Sequence, residues 1–261
     1  CPWKKFPLFG GVEPGKGRLP GSRPGLLVGI ADRLDTLAGL FAAGLAPSGT
    51  KDPFAQRRAA LGLVQALIGW DLDFDLRAGL SAAAEALPIE STPESQAACF
   101  DFIIGRLQAW LLEQGARYDV TAAVLGAQAH NPAGVVRAIP ALTCWTARPD
   151  WNTILPAYAR CVRITRDQPE RYSVNPGAFV EPAEKELYAQ LEKAEGLERR
   201  SGSVEDFFNG FLPLIPHINT FFDTVLVMAE DEAIRANRLG LLQRLSALAD
   251  GVADFSRLEG F

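Results

Sequence analysis

The chain has 261 residues, of which 48% are apolar and 22% charged, with a mean hydropathy near zero. That length and balance describe one large or two small globular domains with a full apolar core, and exclude collagenous, coiled-coil and wholly disordered classes. No run reaches the ~18 uninterrupted apolar residues of a membrane span, and the opening Cys1-Pro-Trp-Lys-Lys-Phe lacks the apolar stretch and cleavage site of a secretory signal.

The formal charge of -5 is uneven. The first 150 residues balance 14 Lys/Arg against 14 Asp/Glu, and the remainder carries 12 against 17, which is the whole -5. A general nucleic-acid binder reads as basic, so any contact with a polyanion here must use local patches. The four cysteines, Cys1, Cys99, Cys144 and Cys161, form no C-x-x-C pair, and the only histidines are His130 and His217. That set reads as thiols in a reducing compartment, with no metal site.

In chain order, Gly/Pro pairs crowd residues 1–24, which predicts an irregular lead over 1–21. Leu27, Ile30, Leu34, Leu37 and Phe41 then recur at helical steps up to Gly44. Asp52-Pro53 supplies an N-cap and a first-turn proline for a helix to about Ile68. Helices are predicted over Asp75–Leu87 and over Gln96–Gln114, the latter stopped by Gly115. Asp119 caps a short helix, Asn131-Pro132 opens another, and Pro149 to Pro156 marks a joint. A helix carrying Tyr158, Val162 and Ile164 breaks at Gln168-Pro169. A charged helix follows over 181–195, and Ser203 caps one that Pro213 and Pro216 should kink. The last runs from about Asp231 to Leu248, and Val225-Leu226-Val227 is the nearest approach to a strand. The fold class is all-α.

Self-contained chemistry is scarce. Gly10 to Lys16 fits G-x-x-x-x-G-K, but Gly17 replaces the hydroxyl residue that would hold magnesium, and no strand can feed the loop. Asp32 and Asp35, and Asp71, Asp73 and Asp75, sit at helix ends or along a polar loop, as capping acids do, rather than in an apolar cleft that would raise one pKa. Neither histidine stands in a setting that would activate a nucleophile. No catalytic residue and no metal ligand is assigned.

The stretch Gly29 to Phe41, with Gly44 and Pro47-Ser-Gly-Thr-Lys-Asp-Pro-Phe-Ala-Gln-Arg-Arg-Ala-Ala-Leu-Gly62, resembles the beta subunit of bacterial heterotetrameric-type glycyl-tRNA synthetase. So do Phe221-Phe-Asp-Thr-Val-Leu-Val-Met-Ala-Glu-Asp-Glu-Ala-Ile-Arg-Ala-Asn-Arg-Leu239 and Val252-Ala-Asp-Phe-Ser256. Asp101-Phe102, Arg106, Trp110, Gly115 and Asp119 to Leu125 fall in the same order between them. The resemblance covers residues 20 to 261 of this chain and only the C-terminal part of that subunit; residues 1–18 fall outside it, so the lead reads as foreign to the family. It implies the end of an HD-like helical domain and connecting helices over 22–150, and a DALR-type anticodon-binding bundle over 151–261. Asp32 stands where HD-like domains often keep a metal-binding aspartate, but the adjacent His-Asp pair is missing, so no metal and no phosphohydrolase activity are expected.

What the resemblance further implies is a part of glycine–tRNA ligase, an aminoacyl-tRNA synthetase of the cytoplasm, that engages glycine tRNA. ATP and magnesium would be handled by the alpha subunit or an alpha-like region, and this chain would carry no cofactor and touch no membrane. The alternative is a helical scaffold for protein partners without RNA contact. RNA affinity needs phosphate contacts, and Arg160, Arg163 and Arg166 recur at three-residue steps, as do Arg235 and Arg238. Arg57 and Arg58 complete the candidate tRNA-binding set. Each group has an internal alternative: Glu184 or Glu186 for the first row; Asp223, Glu230, Asp231 or Glu232 for the second; and Asp32 or Asp35 for the last pair.

Overall fold

The computed structural model describes residues 21–261. The G-x-x-x-x-G-K match and Cys1 lie outside the described residues. Within them the fold is all-α, with an isolated bridge between Ser48 and Lys51 and no strand. The chain divides after Pro140 into two compact units, the second spanning Ala141–Phe261.

In the first unit, α1 (Arg23–Ala42) packs on α2 (Gln56–Gly69), α3 (Leu76–Glu85) and α4 (Pro93–Glu113), and α4 packs on α5 (Tyr118–Gln128). Most of the apolar stripe read from the sequence is buried: Ile30, Leu34, Leu37 and Phe41 face the core, but Leu27 is 63% exposed and its neighbour Leu26 takes the inward position instead. Two glycines admit a charged side chain beside it. The Arg33 guanidinium donates to the Gly29 carbonyl (2.6 Å), and a Cβ at Gly62 would fall 3.0 Å from Arg33 Nε.

Helix starts differ from the sequence reading in instructive ways. α1 begins at Arg23 because Ser22 accepts from the Gly25 amide, and Pro24 occupies the first turn, where its missing N–H costs nothing. Asp52 does cap α2, but from four residues away. Its carboxylate accepts from the Gln56 and Arg57 amides (2.8 and 3.0 Å), while Pro53 lies in the preceding turn and Ala55 takes a left-handed conformation with φ 55°. Asp75 caps α3 as expected. Asp71 and Asp73 instead pair with Arg137 on α6 (Pro132–Thr146), and Asn131 adds a 2.7 Å bond to Asp73. Those bonds hold the Asp73 carboxyl below its ordinary range.

The second unit contains α7 (Trp151–Thr165), α8 (Pro182–Glu195), α9 (Val204–Phe211), α10 (Ile215–Thr224) and α11 (Glu232–Ala247). Pro156, expected at a joint, lies inside α7. Pro213 and Pro216 do more than kink a helix. A 3-10 turn over Leu212–Leu214 separates α9 from α10, because neither proline can donate to the preceding turn. Tyr158, Phe207, Phe211 and Phe255 form an aromatic core with centroids 5.0–6.1 Å apart, and Phe207 and Phe211 stack at 13°. Burial pushes the Cys99 thiol of the first unit and the Cys161 thiol of the second up to about 12, so both remain protonated and inert.

α11 organises the segments that are not helical. Arg238 is buried and its Nε bonds to Glu184 Oε1 at 2.8 Å, with side-chain exposures of 7% and 1%. The other Glu184 oxygen accepts from the Val180 and Glu181 amides (2.9 and 2.6 Å), and Arg238 also donates to the Leu226 carbonyl (2.8 Å). A second face clamps an irregular segment. Asn237 exchanges two bonds with the Asn175 backbone, and Gln243 accepts from the Tyr172 amide and donates to the Glu170 carbonyl. Between them Gly240 leaves room for the Tyr172 backbone. Val225 to Met228, the nearest approach to a strand, is an extended loop with Val225 and Val227 inward and Leu226 and Met228 outward.

Burial alone would raise the Glu184 carboxyl, but the Arg238 pair and the Glu181 and Val180 amides outweigh it and hold it below the ordinary glutamate range. Its contribution to stability is therefore complete above the unfolded-state pKa and lost as pH falls through the lower folded value. Arg238→Ala is expected to cost about 3–5 kcal/mol at neutral pH, with a smaller deficit in acid, measured by urea denaturation at several pH values. Gly240→Ala tests the clamp. Alanine favours a helix by roughly 0.5–1 kcal/mol over glycine, yet its Cβ would sit 2.8 Å from the Tyr172 carbonyl oxygen. A net loss of about 1–3 kcal/mol is expected; a gain would mean that the segment is free to move.

Candidate nucleic-acid interface

Helical geometry spreads the arginines of α7 rather than stacking them. At about 100° per residue, positions 160, 163 and 166 fan over about 120° of the helix circumference. Their surroundings differ accordingly. Arg160 is half-buried, with its guanidinium over the Phe222 ring at 4.9 Å and bonded to Asn219 Oδ1, both on α10. Arg163 is exposed, 5.4 Å from the Phe261 ring centroid. Arg166 caps the C-terminus of α7, and among the described residues its side chain reaches only Asp167, at 3.5 Å and largely in solvent. Neither Glu184 nor Glu186 pairs with the row, since Glu184 is held by Arg238.

Arg235 and Arg238 do not form a common exposed face. Arg235 is half-buried, donating to the Ala229 carbonyl (2.9 Å) with Glu232 3.5 Å away. Arg238 lies inside, and Glu184 rather than a neighbouring acid on its own helix is its partner. Arg57 bonds to the Gly49 carbonyl, whereas Arg58 is exposed and no acid pairs with it among the described residues. Asp32 and Asp35, the expected partners, are exposed on α1. Among the described residues no three His, Cys, Asp or Glu side chains gather closely enough to hold a metal.

Sequence reading overlooked Arg171. It follows the break at Pro169, outside any helical period, and is exposed with no hydrogen bond or ion pair among the described residues. It also overlooked Asn219 and Phe222, which share a face of α10 three residues apart and turn Arg160 into part of a half-exposed polar and aromatic cluster. Such arginine–ring pairs offer both a charge for phosphate and a flat surface for a base.

Comparison with known proteins agrees with this layout. A family model described as the glycyl-tRNA synthetase beta subunit matches residues 13–126, and one described as the DALR anticodon binding domain matches residues 154–253. The chain is a relative of the glycyl-tRNA synthetase beta subunits. It is 38% identical over 253 residues to the glycine–tRNA ligase beta subunit of Moorella thermoacetica and 35% identical over 255 residues to that of Myxococcus xanthus, in each case over 92% of this chain and 36% of the relative. A chloroplastic/mitochondrial glycine–tRNA ligase of Arabidopsis thaliana is 34% identical over 93% of this chain and 23% of its own length. The chain thus spans about a third of the length of the beta subunits it matches. The first match begins at residue 13, so it takes in part of the lead that the sequence reading had set outside the family. The second takes in α11 and all but the first three residues of α7, and with them both arginine rows of the second unit. No helix among the described residues is long and apolar enough to cross a membrane.

The arginines should separate by stability. Arg58→Ala, Arg163→Ala and Arg166→Ala, at exposed positions, are each expected to change unfolding free energy by less than ~1 kcal/mol. Arg160→Ala, which removes a ring interaction and leaves Asn219 without its partner, is expected to cost about 1–2 kcal/mol. Thermal or urea melts of the four variants give the ranking, and a cost of about 1–2 kcal/mol at Arg163 and Arg166 as well as at Arg160 would show that the α7 row is uniformly structural.

Proposed function

We propose that this chain is the tRNA-engaging portion of a glycine–tRNA ligase beta subunit, holding glycine tRNA while the alpha subunit or an alpha-like region performs ATP-dependent aminoacylation. The observation that carries this reading is the run of arginines along α7 and its following turn, which lies in the segment matching the DALR anticodon binding domain and is left largely without acid partners. Arg160, Arg163 and Arg166 are the tRNA contacts of this reading, with Arg58 a further phosphate contact on the first unit. Arg57, Arg235 and Arg238 act through the fold, because their guanidinium groups are taken up by backbone carbonyls or by Glu184. ATP and magnesium belong to the catalytic part, and the holoenzyme works in the cytoplasm.

A second reading, a scaffold that docks the alpha part without touching RNA, draws on the exposed pair Leu226 and Met228, at 72% and 50%, and on the acidic balance of the second half. The two readings differ in salt response. Glycine tRNA should bind in a gel shift that weakens steeply with salt. Replacing Arg160, Arg163 and Arg166 together with Ala should flatten the log–log slope by roughly 0.7–0.9 for each phosphate no longer neutralised. In the complete ligase, glycine adenylate formation without tRNA should be unaffected by the triple change. Equal loss of adenylation and charging would favour the scaffold.

A further inference from the structure

The C-terminal ends of α7 and α11, with the turn that follows α7, enclose a groove of about 370 Å³. That is near the lower limit of the ~300–1,000 Å³ range of small-ligand pockets, room for one small molecule and too little for a helix. Its walls are fixed in advance. Gln243 bonds to both sides of the turn, at Tyr172 and Glu170, and the Tyr158 hydroxyl donates to the Ser246 carbonyl (3.0 Å), tying α7 to α11 at the base of the groove.

The polar groups are divided between the two signs. Arg166 and Arg171 supply two exposed guanidinium groups, which among the described residues have a long contact to Asp167 and no contact, respectively. Against them stand acceptors: the carboxylates of Asp250 and Glu170, and the negative ends of two helix dipoles, since the groove lies at the C-termini of α7 and α11. A simple anion would be attracted by the arginines and repelled by the rest. A simple cation meets the converse. The ligand that satisfies both is one with a negative group at one end and hydrogen-bond donors at the other.

We infer that this groove takes a single unstacked nucleotide of an RNA loop, its phosphate between Arg166 and Arg171 and its base turned inward, with an exocyclic amino group donating to Asp250. A carboxylate is the acceptor that suits such an amino group, and recognition of RNA by sequence relies on bases splayed out of loops. The assignment deepens the proposed function and rests on it. It gives Arg171 a role that the α7 row alone does not predict, and it makes Asp250 the residue that selects the base.

Binding of glycine tRNA to the chain, followed by fluorescence anisotropy across a salt series, tests this. The tRNA is used intact and with an abasic nucleotide at each anticodon-loop position in turn. Arg171→Ala, at a side chain with no partner, should leave the melting temperature unchanged, weaken binding about tenfold and reduce the log–log salt slope by about 0.7. One abasic position should cost the unaltered chain about tenfold in affinity. That penalty should shrink to under about twofold in Asp250→Ala, because the base then has no side-chain acceptor to meet. If both variants keep full affinity, slope and abasic penalty while Arg163→Ala weakens binding, the groove is not a nucleotide site, although the tRNA reading stands. If the unaltered chain shows no salt-dependent tRNA binding, the functional reading itself fails. Saturable binding of free cytidine or adenosine monophosphate that leaves tRNA affinity unchanged would overturn the assignment to an RNA loop.

Discussion

The second unit depends on the polar side chains of α11. Each backbone amide and carbonyl taken from water needs a partner, and the segments 170–175, 180–181 and 226–229 have no regular structure in which to find one. Asn237, Gly240 and Gln243 fan over about 120° of α11, as the arginines of α7 do on their helix, and each still meets the first segment, while Arg235 and Arg238 receive the last. Glu184 joins the system from α8 and brings the amides of Val180 and Glu181 with it. A well-packed apolar pair could match the Glu184–Arg238 ion pair in stability. It would strand the Leu226 carbonyl and those two amides, at roughly 1–3 kcal/mol each where they are buried. The pair is thus best understood as a bracket for loops.

This division explains what was legible beforehand. Helix existence and the buried stripes could be read because their causes are local: Asp75, Ser203 and Asp231 cap the helices they precede, and the three- and four-residue recurrence in α1 needs no knowledge of what covers it. Caps that act at a distance were misplaced. Asp52 bonds to amides four and five residues on, across a turn that only the left-handed Ala55 makes possible. Thr92 with Pro93 starts α4 earlier than its apolar periodicity does.

Side-chain roles were harder to see than helices. Arg235 and Arg238 look equivalent in sequence, three residues apart on one helix, yet one is half-exposed and the other buried. What separates them is Glu184, 54 positions away, and local spacing carries no trace of it. Arg171 was invisible for the opposite reason: it sits in a turn whose position is set by Gln243, 71 or more residues on in the chain, not by any pattern of its own. The family resemblance points to a region without sorting its residues. Only packing shows which charges are available to a partner.

The acidic balance of the second half then ceases to argue against a polyanionic partner. Arg200, Arg244 and Arg257 each face a carboxylate, at or below 2.8 Å. Such pairs act as dipoles whose field fades quickly in solvent. At physiological salt, charges in water influence one another over only ~8 Å. A phosphate near α7 therefore responds to Arg160, Arg163, Arg166 and Arg171, and to the acids beside them, Asp167, Glu170 and Asp250, rather than to the unit's total charge. Exposed Glu186 and Glu198, which pair with no cation among the described residues, repel the same phosphate from other approaches. Like-charge repulsion on the wrong face and attraction on one face restrict how a polyanion can dock. On the proposed tRNA reading, a uniformly basic unit would bind more tightly and less selectively, and the net negative charge would help to set the orientation in which RNA meets α7.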